Sequence, residues 1–364
     1  MRRKILYVLG FLLVLLLTAF LWIFGPNLYF RLTEDGISMA GPALSPDGRT
    51  ILVAFERPGE LFKIAEYEIS SGKFTILNLA PNYHWFGPSY ASDGKHIAAL
   101  YQCVFICTNG EGPAHHVAVI ERRTLAVNTL TDGEKFRYSP VFSPDMRRMY
   151  YTENKAWRGL DEGHVRPFAF PYLVRRNLET GFEEVLFSDD DGAGALSISS
   201  ASFVNQSDDE ILFSMSHPHK KSQFFQYDNQ PEKIIDMIGV KRDRDGNLSL
   251  LPENYETHDL SLSASPVTGE FVFVSDSNIK VLPGTRSYQY DLFIAGKQGV
   301  VQLTDHRTTM VWPDISYDGS RIAFAADKSR RNQWEVWYYD RALGKAFKTG
   351  IRDMIKKLPP NKPS

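Results

Sequence analysis

Cysteine is scarce in this 364-residue chain, which holds only Cys103 and Cys107. Two cysteines cannot frame a disulfide-scaffolded minidomain, and their spacing is not the C-x-x-C of a zinc or haem site. Along one extended strand positions 103 and 107 would lie about 13 Å apart, so a disulfide between them requires a turn through Val104, Phe105 and Ile106. Bonded and unbonded forms both stay open at this point. A basic excess is also missing: 41 Lys and Arg stand against 43 Asp and Glu, which excludes a protein dedicated to nucleic acid. Low-complexity composition is absent, since 43% of residues are hydrophobic and 13% aromatic, and the chain must fold compactly. Beyond residue 24 no further long apolar run occurs.

The one long apolar run is Ile5 to Phe24, directly behind Arg2, Arg3 and Lys4. Twenty such residues in a helix match the ~30 Å hydrocarbon layer of a bilayer. Phe20, Leu21, Trp22, Ile23 and Phe24 continue the run where a cleavable signal would show small residues, so the segment reads as an uncleaved signal anchor. The basic cluster holds the N-terminus in the cytoplasm and sends the rest to the periplasmic or extracellular side. The exported part then carries 38 cations against 43 carboxylates. The expected organisation is a cytoplasmic stub and anchor over 1–27, one folded unit over 28–349 and a short tail over 350–364.

That folded unit repeats. Pro42-Ala43-Leu44-Ser45-Pro46-Asp47-Gly48 recurs as Pro88 to Gly94, Pro140 to Asp145 and Pro313 to Gly319, each followed by an apolar run, with degraded copies at Ser202 to Asn205 and Leu262 to Pro266. Positions equivalent to Ser45 are Ala91, Ser143, Asn205, Ser265 and Ser316, at intervals of 46, 52, 62, 60 and 51 residues. Each phrase reads as a strand, a tight turn and a second strand, and two further strands follow, such as Ile64 to Glu68 and Phe74 to Leu77. Six such units predict an all-β fold, a six-bladed β-propeller of four-stranded antiparallel blades behind a single N-terminal transmembrane helix. The phrase resembles the propeller of the TolB-like group, which also forms the front domain of prolyl oligopeptidase-type enzymes. The resemblance covers residues 31 to about 349 and implies the fold rather than a function. The Gly-x-Ser-x-Gly elbow and the hydrolase domain of those peptidases are missing, which excludes a serine peptidase.

Leu32-Thr33-Glu34 lies ten residues before Pro42, as Leu130-Thr131-Asp132 does before Pro140. The segment Arg31 to Thr33 is therefore expected to complete the last blade and close the ring, with Ala346 to Lys348 competing for the same edge. Asp47, Asp93 and Asp318 read as turn devices, not catalytic groups. Long insertions at 153–171, 188–197, 238–259 and 276–288 are expected on the opposite face, together with candidate binding residues Trp85, Arg137, Tyr138, Trp157, Arg166, Arg242, Arg286, Arg307 and Trp312. Plugs of the channel or covers of blade tops are the plainer alternative for each. His217 and His219 form a candidate metal pair, with a solvated loop as the alternative. His115-His116 should give one buried and one exposed ring. No motif calls for a cofactor. The sequence thus points to a membrane-anchored binding module for an envelope protein or glycan, with a metal-dependent, lyase-like carbohydrate-active enzyme as the alternative.

Overall fold

The computed structural model describes residues 35–103, 115–154, 171–188, 198, 201–217, 236–251, 261–275, 290–306, 308–327 and 333–359. They form six four-stranded antiparallel sheets, each made of four consecutive strands. Blade 1 comprises β1 (Ser38–Leu44), β2 (Thr50–Glu56), β3 (Lys63–Glu68) and β4 (Phe74–Ile76). Blade 2 runs from β5 (Tyr83–Tyr90) and β6 (His96–Cys103) to β7 (His116–Glu121) and β8 (Val127–Thr129). Blade 3 is β9 (Phe136–Phe142), β10 (Arg148–Asn154), β11 (Pro171–Asn177) and β12 (Glu183–Ser188). In blade 4 these are β13 (Ser202–Phe203), β14 (Ile211–His217), β15 (Asp236–Arg242) and β16 (Leu248–Leu251). Blade 5 has β17 (Leu262–Ala264), β18 (Phe271–Ser275), β19 (Asp291–Gly296) and β20 (Gly299–Gln302). Blade 6 ends the ring with β21 (Thr309–Ile315), β22 (Arg321–Asp327), β23 (Glu335–Asp340) and β24 (Lys345–Lys348).

The repeated phrase owes its residues to local hydrogen bonding. The Ser45 hydroxyl donates to Asp47 at 2.7 Å and accepts the Thr50 N–H at 2.9 Å, pinning the turn to the first residue of β2. Ser143 with Asp145 and Ser316 with Asp318 repeat this arrangement, each pair at 2.6 Å. The second strand of each blade is the most deeply buried, with Ile51 to Ala54, Ile97 to Ala99 and Ile322 to Phe324 wholly covered, because it packs between neighbouring blades on both faces. At the proline of the repeated phrase the first strand bulges, between Ala40 and Ala43, Phe86 and Ser89, and Val311 and Asp314. Proline cannot donate to the ladder, and the bulge is where a strand tolerates it.

Three expectations change. The outer strand of blade 6 is β24, paired with β23, so the competing C-terminal segment fills the edge assigned above to the N-terminus; Arg31 to Thr33 lie outside the described residues. In blade 4, Ser202 pairs with Leu212 and Phe203 with Ile211, which puts Val204, not Asn205, at the Ser45 position: this turn lacks Pro-Asp-Gly and carries an extra residue. The insertion expected at 238–259 holds most of β15 and all of β16, joined by the short turn Asp243 to Asn247.

With β24 in place, the ring closes by contact between first and last blades. The Asp314 carboxylate accepts the Leu44 N–H at 2.6 Å, the Asp318 N–H donates to Pro46 O at 3.1 Å, and Arg321 donates to Gly48 O at 2.9 Å. A short helix, α1 (Ile351–Lys357), seals the outer part of the same seam, burying Ile351 and Ile355 against blade 1 residues such as Val53 and Phe55. Its Arg352 is buried and bonds Asp35, Ile37 O and Trp334 O, while Lys356 pairs with Asp35 at 2.8 Å. The expected spanning helix lies outside the described residues, among which no helix is long and apolar enough to cross a membrane. Cys103, at the end of β6, is disulfide-bonded.

Candidate functional site

The first strands of all six blades line a central channel. Its narrow part, on the side of the Pro-Asp-Gly turns, encloses a cavity of about 110 Å³. That is room for several waters or the end of one side chain. At one level of its wall stand Ala43, Ser89, Val141, Ser202, Ser263 and Asp314, one from each blade. Five are small and one is an acid. Two residues upstream, at the bulge position, stand Gly41, Gly87, Ser139, Ser261 and Trp312. Again β21 supplies the large side chain. Blade 6 also contributes Tyr317, which lines the cavity and whose hydroxyl reaches Gln206 in blade 4 at 2.8 Å.

Trp312 is 41% exposed, between the partly buried Val311 and the buried Pro313. Its backbone sits at φ 52°, a left-handed conformation that costs a bulky residue on the order of 1–2 kcal/mol. The strand holds it there through the bulge and through its N–H, which donates to the Ser261 hydroxyl at 3.1 Å. Gly41 lies against it: a Cβ at that position would meet Trp312 Cβ at 3.4 Å, in ordinary contact, and a branched side chain would press on the indole. The indole also meets the Trp334 ring at 5.7 Å.

Asp314 is enclosed by protein yet keeps accessible surface, because that surface faces the cavity. One carboxylate oxygen accepts the Leu44 N–H and the other the Ser263 hydroxyl at 2.8 Å. Burial pushes its carboxyl up to about 6, against the lowering effect of those two hydrogen bonds; no cation contributes. An ionisable group displaced this far inside a cleft is a candidate functional group.

Of the residues expected at the site, Trp312 stands exposed on β21, two residues before Asp314, with its indole against Trp334. Trp85 is 4% exposed and spends its indole N–H on Ala80 O at 3.0 Å. Arg137 is 2% exposed, bonded to Glu153 at 3.0 Å and to Asp132 O at 2.6 Å. Tyr138 is half-buried against the His115 ring. Arg242 sits at the end of β15 beside the short turn Asp243 to Gly246, on the turn face rather than the long-loop face, because 238–259 is not the insertion expected there. Trp157, Arg166, Arg286 and Arg307 lie outside the described residues, as does His219; His217 ends β14, paired in register with Asp236. Among the described residues no three His, Cys, Asp or Glu gather as a metal set. His115 and His116 are both buried, contrary to strict alternation. His115 precedes β7 and is enclosed by Phe86, Phe136 and Tyr138, while His116 stacks on Tyr101 at 4.5 Å. Asp314 is absent from the expected set. The signal for it was there: aligning the six phrases puts one charge in a column of Ala, Ser and Val.

No family model and no curated protein matches the chain. Solved structures do. An oligogalacturonate lyase in complex with manganese superposes with a TM-score of 0.51 at 16% identity, over 87% of this chain and 79% of the lyase. TolB from Acinetobacter baumannii gives 0.54 at 15%, over 88% of this chain and 66% of TolB. A putative TolB from Agrobacterium tumefaciens gives 0.50 at 15%, over 74% and 81%. The fold is a TolB-like six-bladed propeller. At these identities the likeness concerns the fold alone.

Proposed function

We propose that this chain is an exported, membrane-anchored binding module that captures a segment of an envelope protein in the channel of its propeller, without catalysing a reaction on it. The observation that carries the reading is Asp314 and Tyr317 of one blade in the channel wall, level with Ala43, Ser89, Val141, Ser202 and Ser263 of the other five, with the exposed Trp312 two residues upstream on the same strand. Exposed tryptophan is a preferred anchor of protein interfaces, and an anchor held at φ 52° is retained against a conformational cost. The Ile5 to Phe24 run supports the anchoring, and the mildly acidic exported part suits a partner with basic segments. An acidic glycan is the weaker fit, since Asp314 repels a uronate and no cation among the described residues offsets its charge.

The test is co-purification from membranes of chemically cross-linked full-length protein. Trp312→Ala and Gly41→Val, which removes or displaces the indole, should each lose a defined partner that the wild type retains. Val301→Ala on the exposed outer strand β20 should keep it. Retention by both channel variants would overturn the reading.

A further inference from the structure

Two levels of the channel wall, those of Asp314 and Tyr317, break the six-fold repeat at the same blade. A repeat that only needed to fill its axis would use similar residues all round, as five blades do with Ala43, Ser89, Val141, Ser202 and Ser263. Asp314 is not required for the hydrogen bonds it makes. An asparagine there could accept the Leu44 N–H and exchange a hydrogen bond with the Ser263 hydroxyl, with no charge to desolvate. In blade 5 a neutral side chain does the same work: the Ser263 hydroxyl accepts the Ile315 N–H at 3.3 Å, as Asp314 accepts that of Leu44. What the carboxylate adds is a negative charge.

Among the described residues that charge has no partner of opposite sign. The groups beside it, among those residues, are Ala43 and Leu44 of β1, Ser263 of β17 and Ala323 of β22, with no Lys, Arg or His of the described residues acting on it. Each carboxylate oxygen takes one donor, which leaves acceptor capacity on both, and the accessible surface of the residue lies in the cavity. The complement is a cation that enters the cavity. A divalent ion is poorly served by a single carboxylate among hydroxyls, since calcium sites draw on six to eight oxygens with several carboxylates. An alkylammonium group suits the wall better: it needs one carboxylate and a few hydroxyl acceptors for its three donors. Its aliphatic stem then has Trp312 upstream on the same strand, and aromatic faces attract cations and cover apolar stems.

We propose that the channel recognises a protonated alkylamine, such as a lysine side chain of an inserted partner segment, with Asp314 taking the ammonium and Trp312 covering the stem. This rests on the channel being the binding site, as proposed above. The test uses the full chain and n-butylammonium chloride, followed by saturation-transfer NMR at pH 7.5, with n-butanol as the uncharged match and potassium and calcium chloride as inorganic competitors. Asp314→Asn conserves shape and removes a buried charge, so it should fold. The expected result is saturable binding of the amine, weakened at least tenfold in Asp314→Asn and several-fold in Trp312→Ala, no binding of n-butanol, and no displacement by potassium. Equal binding by Asp314→Asn, or calcium occupying the site at concentrations where the amine does not, would overturn it. If partner capture depends on Trp312 while the amine fails to bind, the amine inference falls and the channel reading stands. If capture survives Trp312→Ala, the channel reading falls with it.

Discussion

Asp314 and Asp35 are two carboxylates of one chain with opposite responses to pH. For Asp314 the folded state raises the carboxyl from 3.8 to about 6, so the fold favours the protonated form. The stability this contributes is complete below pH 3.8 and is lost as pH rises through 6; at pH 8 the ionised group costs about 3 kcal/mol. Asp314→Asn should therefore be more stable than wild type by up to that amount in urea unfolding at pH 8. The difference should close towards pH 4, and a gap independent of pH would mean that Asp314 is solvated in the folded state. Asp35 behaves in reverse. Burial works to raise its carboxyl, but Arg352 and Lys356 outweigh it and hold the group at about 2. Its stabilisation is present above pH 3.8 and is lost as pH falls through 2, on the order of 2 kcal/mol.

Threonine clamps recur at the outer edges of the blades. The Thr131 hydroxyl accepts the Val117 N–H at 2.9 Å, and that of Thr304 accepts the Leu292 N–H at 3.0 Å. Each lies just past a fourth strand and ties the chain back to the third. Thr304→Val, nearly isosteric, strands the buried Leu292 N–H and removes one of the donors to Asp291, which keeps the His306 N–H, and should cost about 1–3 kcal/mol in chemical denaturation. This explains the Leu-Thr phrase that the sequence repeats. It also explains why the phrase misled at Leu32-Thr33: it marks the end of an outer strand, and two segments of the chain offered such an edge to blade 6. The Ser-Pro-Asp-Gly turns were legible because their hydrogen bonds close within five residues. Blade 4 was harder to place, since its first turn has neither proline nor glycine and its charged β15–β16 turn resembles a loop insertion. Trp312 was among nine candidates by residue type. Asp314 escaped because it sits inside a phrase whose neighbouring acids, Asp47, Asp93 and Asp318, serve turns.

At the scale of the molecule, closure is a matter of side chains. Each blade keeps its own four strands, so the seam between blades 6 and 1 depends on Asp314, Arg321, Arg352 and helix α1. Arg352→Met removes the buried partner of Asp35 and two further hydrogen bonds, to Trp334 O and Ile37 O, and should cost about 3–5 kcal/mol. Hydrogen exchange should then rise first in β1 and β21, on the two sides of the seam, with β10 and β14 protected as before. The same seam carries the proposed binding wall, since Asp314 and the Gly41–Trp312 contact both bridge blades 6 and 1. The most direct measurement is photo-cross-linking in intact cells, with a photoreactive phenylalanine in place of Trp312, or of Val301 on the outer edge, each with and without Asp314→Asn. A channel that captures a partner predicts a discrete adduct from position 312 that Asp314→Asn abolishes, and none of it from position 301. The same adducts from both positions, or an adduct at 312 indifferent to Asp314, would contradict it.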